Sequence, residues 1–178
     1  MRTFISLKLS DEAIQEIKKI QKELKNFGLF EGKLTEEENL HLTLKFLGEI
    51  DEKKVEEIRN RLRKVKINGF KVKLGDVGVF SQSFIRIIWI KLEGEAIFEL
   101  QKQIDEVLDG LFEKEFRFMG HITIARIKKV KDKSKFLGFL KKLKVKEVDF
   151  EVKSFGLMKS ELFSEGPKYN LLEGYSLL

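Results

Sequence analysis

The chain contains two histidines, His41 and His121, and each opens the same pattern: His41-Leu42-Thr43-Leu44 and His121-Ile122-Thr123-Ile124. With only four threonines in 178 residues, random placement would set one two residues beyond both histidines in about one chain in 2,000. The surroundings repeat too. Strand-like stretches begin at Thr3, 38 residues before His41, and at Ile85, 36 residues before His121. A chain built this way has to fold as two similar halves, and the period is far too long for a solenoid.

Hydrophobic periodicity predicts a strand over 2–9 and a helix over 11–24 with Ile14, Ile17, Ile20 and Leu24 on one face and Ser10 as its N-cap. A buried strand over 40–47 ends at Gly48, a helix follows over 51–65, and 68–80 and 84–92 are strand-like. The second half repeats this order with a strand over 85–92, a helix over 93–111, a strand over 120–127, a helix over 133–143 and a strand over 145–157. Each half therefore reads β-α-β-α-β. A final strand over 169–178 follows the turn Gly166-Pro167, and residues 79–82 read as a tight turn between the halves. The expected fold is α+β. A single bilobal domain spans 1–178, with halves at about 1–80 and 84–160. Its two mostly antiparallel sheets would flank a central cleft, with the helices outside.

The chain has no cysteine, which excludes thiol nucleophiles, zinc knuckles and iron–sulfur clusters. No apolar run approaches the roughly 20 residues that span a bilayer, and the alternating start lacks a signal-peptide core. The expected location is the cytoplasm, with no membrane and no obligate protein partner. Thirty-five basic against 29 acidic residues give a net charge of +6, a bias that suits a polyanionic substrate as well as a merely solvated surface. The lysine-rich stretch 128–146 reads as a solvated helix with its flanks. High Lys and Glu with five Asn and five Gln fits heat adaptation, against which stands a single proline.

On a strand, residues i and i+2 share a face about 7 Å apart, so each motif projects one imidazole and one hydroxyl together. Leu42, Leu44, Ile122 and Ile124 then anchor the opposite face. Two halves related by a pseudo-two-fold axis would bring His41, Thr43, His121 and Thr123 to a common cleft. Paired imidazoles suit phosphodiester chemistry, one neutral and removing a proton while the other, charged, donates one. The hydroxyls can donate to non-bridging oxygens. A metal site and a non-catalytic phosphate-binding site stay open as rivals, the first lacking any adjacent carboxylate or cysteine.

The doubled motif resembles the two-histidine phosphoesterase superfamily. Within it, residues Asn39 to Glu49 and Gly120 to Arg126 look most like the RNA 2′,3′-cyclic phosphodiesterases, also called 2′-5′ RNA ligases. The resemblance implies metal-independent, cofactor-free opening of a terminal 2′,3′-cyclic phosphate to a 2′-phosphomonoester, reversible as 2′-5′ joining. It implies His41 as proton donor to the leaving 3′ oxygen and His121 as proton acceptor from water. The implied partner is RNA with a cyclic phosphate end, tRNA fragments being one source. Arg126, five residues after His121, matches a phosphate-contacting arginine of the family, although strand parity sets it opposite His121 unless a bulge re-aims it. Phe46 holds the equivalent place after His41 and is open to two readings, a base-stacking ring or a core residue. Arg86, Trp89 and Tyr169 are expected to be structural. The rivals in function are a non-catalytic nucleotide- or RNA-binding module and a phosphodiesterase of small cyclic nucleotides.

Overall fold

The computed structural model describes all 178 residues. The strands are β1 (Arg2–Leu7), β2 (Phe30–Leu34), β3 (Leu42–Glu49), β4 (Phe70–Val79), β5 (Ile87–Glu93), β6 (His121–Val130), β7 (Asp149–Val152), β8 (Ser154–Phe163) and β9 (Gly166–Ser176). The helices are α1 (Asp11–Phe27), α2 (Glu52–Leu62), α3 (Glu95–Val107) and α4 (Lys133–Lys142). Their apolar spacing decides them. Ile17, Ile20 and Leu24 of α1 are fully buried, as are Ile97, Leu100 and Ile104 of α3, each side chain contributing about 1.5–3 kcal/mol. Ser10 caps α1 by accepting from the Ala13 amide at 3.1 Å.

Every strand pairing is antiparallel, and all nine strands belong to one sheet of order β7-β4-β5-β6-β3-β1-β8-β9, with β2 alongside β6. The sheet is α+β in class, and its two wings join where Leu42 of β3 pairs with Ile122 of β6. That is the only paired position between the two motif strands, so they splay apart on either side of it. Each half also lends a strand to the other wing: β4 of the first half pairs with β5, and β8 of the second pairs with β1. Helices and sheet share one core cluster in which Leu42, Leu44, Ile122 and Ile124 meet the buried faces of α1 and α3. The other face of the motif strands stays open.

Three features depart from the periodicity reading. Strand β2 is new, because Phe-Glu-Gly-Lys-Leu is a mostly exposed edge strand with no apolar alternation. It lies so close to β6 that a Cβ on Gly32 would collide with the Arg126 carbonyl oxygen. The stretch over 145–157 splits at Lys153 into β7 and β8, which run in opposite wings of the sheet. Finally, the last strand starts at Gly166 rather than 169, since β8 and β9 form one long hairpin paired from Phe163 to Ser154.

Candidate active site

From each histidine onward the two motif segments alternate in burial identically over nine residues. The histidine and threonine are half-buried, the aliphatic residues after each are buried, a second buried residue follows, and the next is exposed. A β-bulge produces that pattern twice. Against β1, Thr43 pairs with Ser6 and Lys45 with Ile5, leaving Leu44 without a partner. Against β5, Thr123 pairs with Trp89 and Ala125 with Ile88, leaving Ile124 unpaired. The extra residue puts two consecutive side chains on the core face and returns the next to the open face. Leu44 and Lys45 are accordingly buried, as are Ile124 and Ala125, and Phe46 and Arg126 emerge on the face of the histidines. Phe46 is 68% exposed, so the core reading of this ring is overturned.

The antiparallel register through Leu42 and Ile122 sets His41 across from Thr123, and Thr43 across from His121. All four line one cleft of about 690 Å³, together with Arg2, Phe46, Arg126 and Tyr169. The two imidazoles are oriented alike. His41 Nδ1 donates to the Asn39 carbonyl at 2.6 Å, and His121 Nδ1 to the Met119 carbonyl at 3.0 Å. A carbonyl only accepts, so Nδ1 carries the proton in both rings and Nε2 is the atom turned to the cleft chemistry. His41 Nε2 lies 2.9 Å from the Thr43 hydroxyl, while His121 Nε2 has no hydrogen-bond partner within the chain.

Electrostatics separate the pair. Burial pushes the His41 pKa below its ordinary value, and the nearby His121 and Arg126 push it the same way against the opposing bond to Asn39. Phe4 lies against the His41 ring at 5.1 Å, and Tyr169 meets it edge-on at 5.2 Å. The Tyr169 hydroxyl is held above its ordinary pKa, mainly by burial, and stays neutral. Phe80 meets the His121 ring edge-on at 4.9 Å. The Arg126 side chain forms no ion pair or hydrogen bond within the chain, which leaves its guanidinium fork available for an anion.

Asn39 and Tyr169 are the site residues that periodicity passed over. Asn39 is buried, gives its carbonyl to His41, and donates through Nδ2 to the Pro167 carbonyl at 2.9 Å. It thereby ties the first motif to the β8–β9 hairpin that supplies Tyr169. Its only local signal is a polar residue two places ahead of the histidine; the partner is 128 residues away. Trp89 lies on β5 beside Thr123, its indole over Gly78, and Arg86 rests on the Phe84 ring at 4.3 Å.

The arrangement thus offers two imidazole Nε2 atoms, two hydroxyls and an unpaired guanidinium around one opening, the functional groups needed to hold a phosphoryl group and move protons on either side of it. The sequence profile described as LigT like phosphoesterase matches residues 7–89 and again 90–169. The chain belongs to that family. The RNA 2′,3′-cyclic phosphodiesterase of Methanocaldococcus jannaschii is 40% identical over 176 residues, covering 97% of this chain and 99% of the relative. The protein of the same name from Archaeoglobus fulgidus is 34% identical over 174 residues, covering 95% and 96%. Among solved structures, TT0787 of Thermus thermophilus superposes with a TM-score of 0.79 at 26% identity, covering 99% of this chain and 97% of that one. The apo form of Escherichia coli LigT shares the fold with a TM-score of 0.78 at 21% identity, covering 99% and 96%.

Proposed function

We propose that this phosphoesterase opens the 2′,3′-cyclic phosphate at the end of an RNA strand, leaving a 2′-phosphomonoester, and that it works as a single bilobal domain. The reading rests on one observation above the rest: two imidazoles with outward Nε2 atoms, oriented by the same backbone contact, share a cleft with two hydroxyls. His121 Nε2, without a partner in the chain, takes the proton of the attacking water. As the water oxygen bonds to phosphorus, the bond to the 3′ oxygen breaks, and His41 Nε2 delivers its proton there. Thr43 and Thr123 donate to the non-bridging oxygens, where negative charge accumulates. Arg126 binds the same phosphate, and Phe46 stacks on the terminal base.

The lowered His41 pKa bears directly on this assignment. A donor must be protonated before reaction, and burial of the His41 ring disfavours that form. The substrate supplies the remedy, because a phosphate anion beside the imidazole stabilises its charged state. His41 is then charged chiefly in the complex, where a proton is needed. The near-symmetry of the site also lets a 5′ hydroxyl replace water at His121, which gives a 2′-5′ linkage. Both proton transfers use imidazoles, so turnover is expected to persist in excess EDTA. A defined RNA with a cyclic phosphate end, followed by phosphorus NMR, should give a 2′-phosphomonoester alone. A 3′-phosphate product, or activity lost to EDTA and restored by one divalent metal, contradicts the mechanism.

A further inference from the structure

The positive charge of this chain is concentrated in one place. Residues 128–146 hold nine lysines and one aspartate, whereas the rest of the chain has 26 basic against 28 acidic residues and is slightly acidic. All nine lysines are exposed. None forms an ion pair, and the one side-chain hydrogen bond among them runs from Lys133 to the Ser83 carbonyl at 3.0 Å. Asp132 is already occupied, accepting from the Lys135 amide as the N-cap of α4. Surface helices elsewhere in the molecule do pair their charges, as Arg59 and Arg61 do with Glu56 and Glu57 on α2. Nine unneutralised cations repel one another, a cost that a bound polyanion would relieve.

One strand joins the segment to the cleft, although α4 itself packs Phe136 and Leu140 into the core on the sheet face opposite the histidines, so a bound strand would pass round the sheet from one face to the other. Strand β6 carries Arg126 into the site, and its own later residues Lys128 and Lys129 begin the lysine run, which passes directly into α4. At the far end of α4, Phe139 stacks face to face on Phe27 of α1 at 3.9 Å, beside a groove bordered by Lys19, Lys142 and Lys144 against one carboxylate, Glu23. Alternating cations with aromatic surface at the end is the chemistry that follows a single nucleic-acid strand.

We propose that the α4 face and its lysine flanks bind the ribose-phosphate backbone of the RNA strand whose cyclic end sits in the cleft. This rests on the RNA reading of the cleft and adds to it the substrate class: oligonucleotides several residues long rather than cyclic mononucleotides. Each lysine contact to a phosphate releases a condensed counterion, so affinity for the strand falls steeply with salt.

The test uses the quadruple variant Lys135→Gln, Lys141→Gln, Lys142→Gln, Lys144→Gln, and the matching Lys→Arg variant as a charge-retaining control. Binding is measured against salt with an unreactive single-stranded RNA of about a dozen nucleotides. The Gln variant should lose about 3 units of the log–log salt slope and bind at least about tenfold more weakly at low salt, while the Arg variant follows the parent. Hydrolysis of a cyclic-phosphate dinucleotide should be unchanged in both variants, and KM for the long RNA should rise only in the Gln variant. An unaltered slope, a long RNA bound no better than a dinucleotide, or lysine-dependent binding to anionic lipid vesicles without RNA affinity would overturn the proposal. Failure of the parent protein to hydrolyse the long RNA with a cyclic phosphate end would instead sink the reading of the cleft, and the salt slope would still judge the α4 face.

Discussion

The two motif strands share a backbone and differ in chemistry. From His41 and from His121 the burial pattern is the same for nine residues, and a bulge follows each threonine at the same place. Yet His41 lies among Phe4, Tyr169 and the Thr43 hydroxyl, with its pKa pushed down, while His121 faces the opening with Nε2 unpartnered. The residue re-aimed by the bulge is a phenylalanine on one strand and an arginine on the other. Duplication supplied a symmetric frame, and the neighbours gave its two imidazoles different surroundings. Two like imidazoles in like surroundings would share a single proton equally between them, with neither fixed as the charged member.

The histidines test that division most strongly. Either His→Ala change should lower turnover by about 10³-fold, within the range of a lost acid or base. The rate should follow a bell-shaped pH profile belonging to the coupled pair. Because burial holds His41 below 6.5 in the free protein, raising the pH removes its proton early, and the kcat/KM bell should centre on the acid side of neutrality. Bound phosphate favours the imidazolium, so the kcat bell should move to higher pH. Identical bells centred above neutrality in both parameters would contradict the electrostatic difference between the strands.

The threonines should then split. Thr43→Val and Thr123→Val each delete a donor to the phosphate and should cost about 10²-fold in kcat. Only Thr43 also touches its histidine, at 2.9 Å, so only Thr43→Val should move the pH profile as well. Equal pH profiles for both variants would show that the hydrogen bond to His41 has no bearing on its titration.

The re-aimed pair comes next. Removing a guanidinium that binds phosphate costs a charge-assisted hydrogen bond, so Arg126→Ala should lower kcat/KM by about 10- to 100-fold on any cyclic phosphate. Phe46→Ala should cost about tenfold, the scale of one base stack, and the loss should vanish on a substrate without a base. A Phe46 effect that persists on the abasic substrate would make the ring a packing element of the cleft.

The smallest effect concerns what holds each bulge. At β6 the Gln21 amide and the Thr35 backbone both donate to the Ile124 carbonyl at 2.9 Å. At β3 the buried Lys45 ammonium bonds Asp105 and the Glu113 carbonyl, each at 2.6 Å. Gln21→Leu leaves Ile124 with its second donor and should cost about 1–2 kcal/mol of stability in denaturant unfolding. Lys45→Met strands a buried carboxylate and should cost about 3–5 kcal/mol. Its effect on turnover should be the smaller of the two, since Gln21 supports the strand that carries Arg126.

Much of this protein follows from local order. The periodicity of α1 and of the motif segments, and the repetition of His-x-Thr, need only near neighbours in the chain, and they fix the α+β class and the two histidines and two threonines of the cleft. The side on which Phe46 and Arg126 emerge was not legible, because parity from the histidines points both the wrong way. A bulge is created by the partner strand: Leu44 and Ile124 go unpaired because of where β1 and β5 lie. Edge strand β2 has no apolar alternation to announce it, and Gly32 makes sense only against the Arg126 carbonyl. Asn39 and Tyr169 reach His41 through the hairpin β8–β9, contributed by the opposite end of the chain. Sequence periodicity reports which face of an element is apolar. Register, bulges and the company a histidine keeps depend on contacts between residues far apart in the chain, and tertiary packing alone decides them.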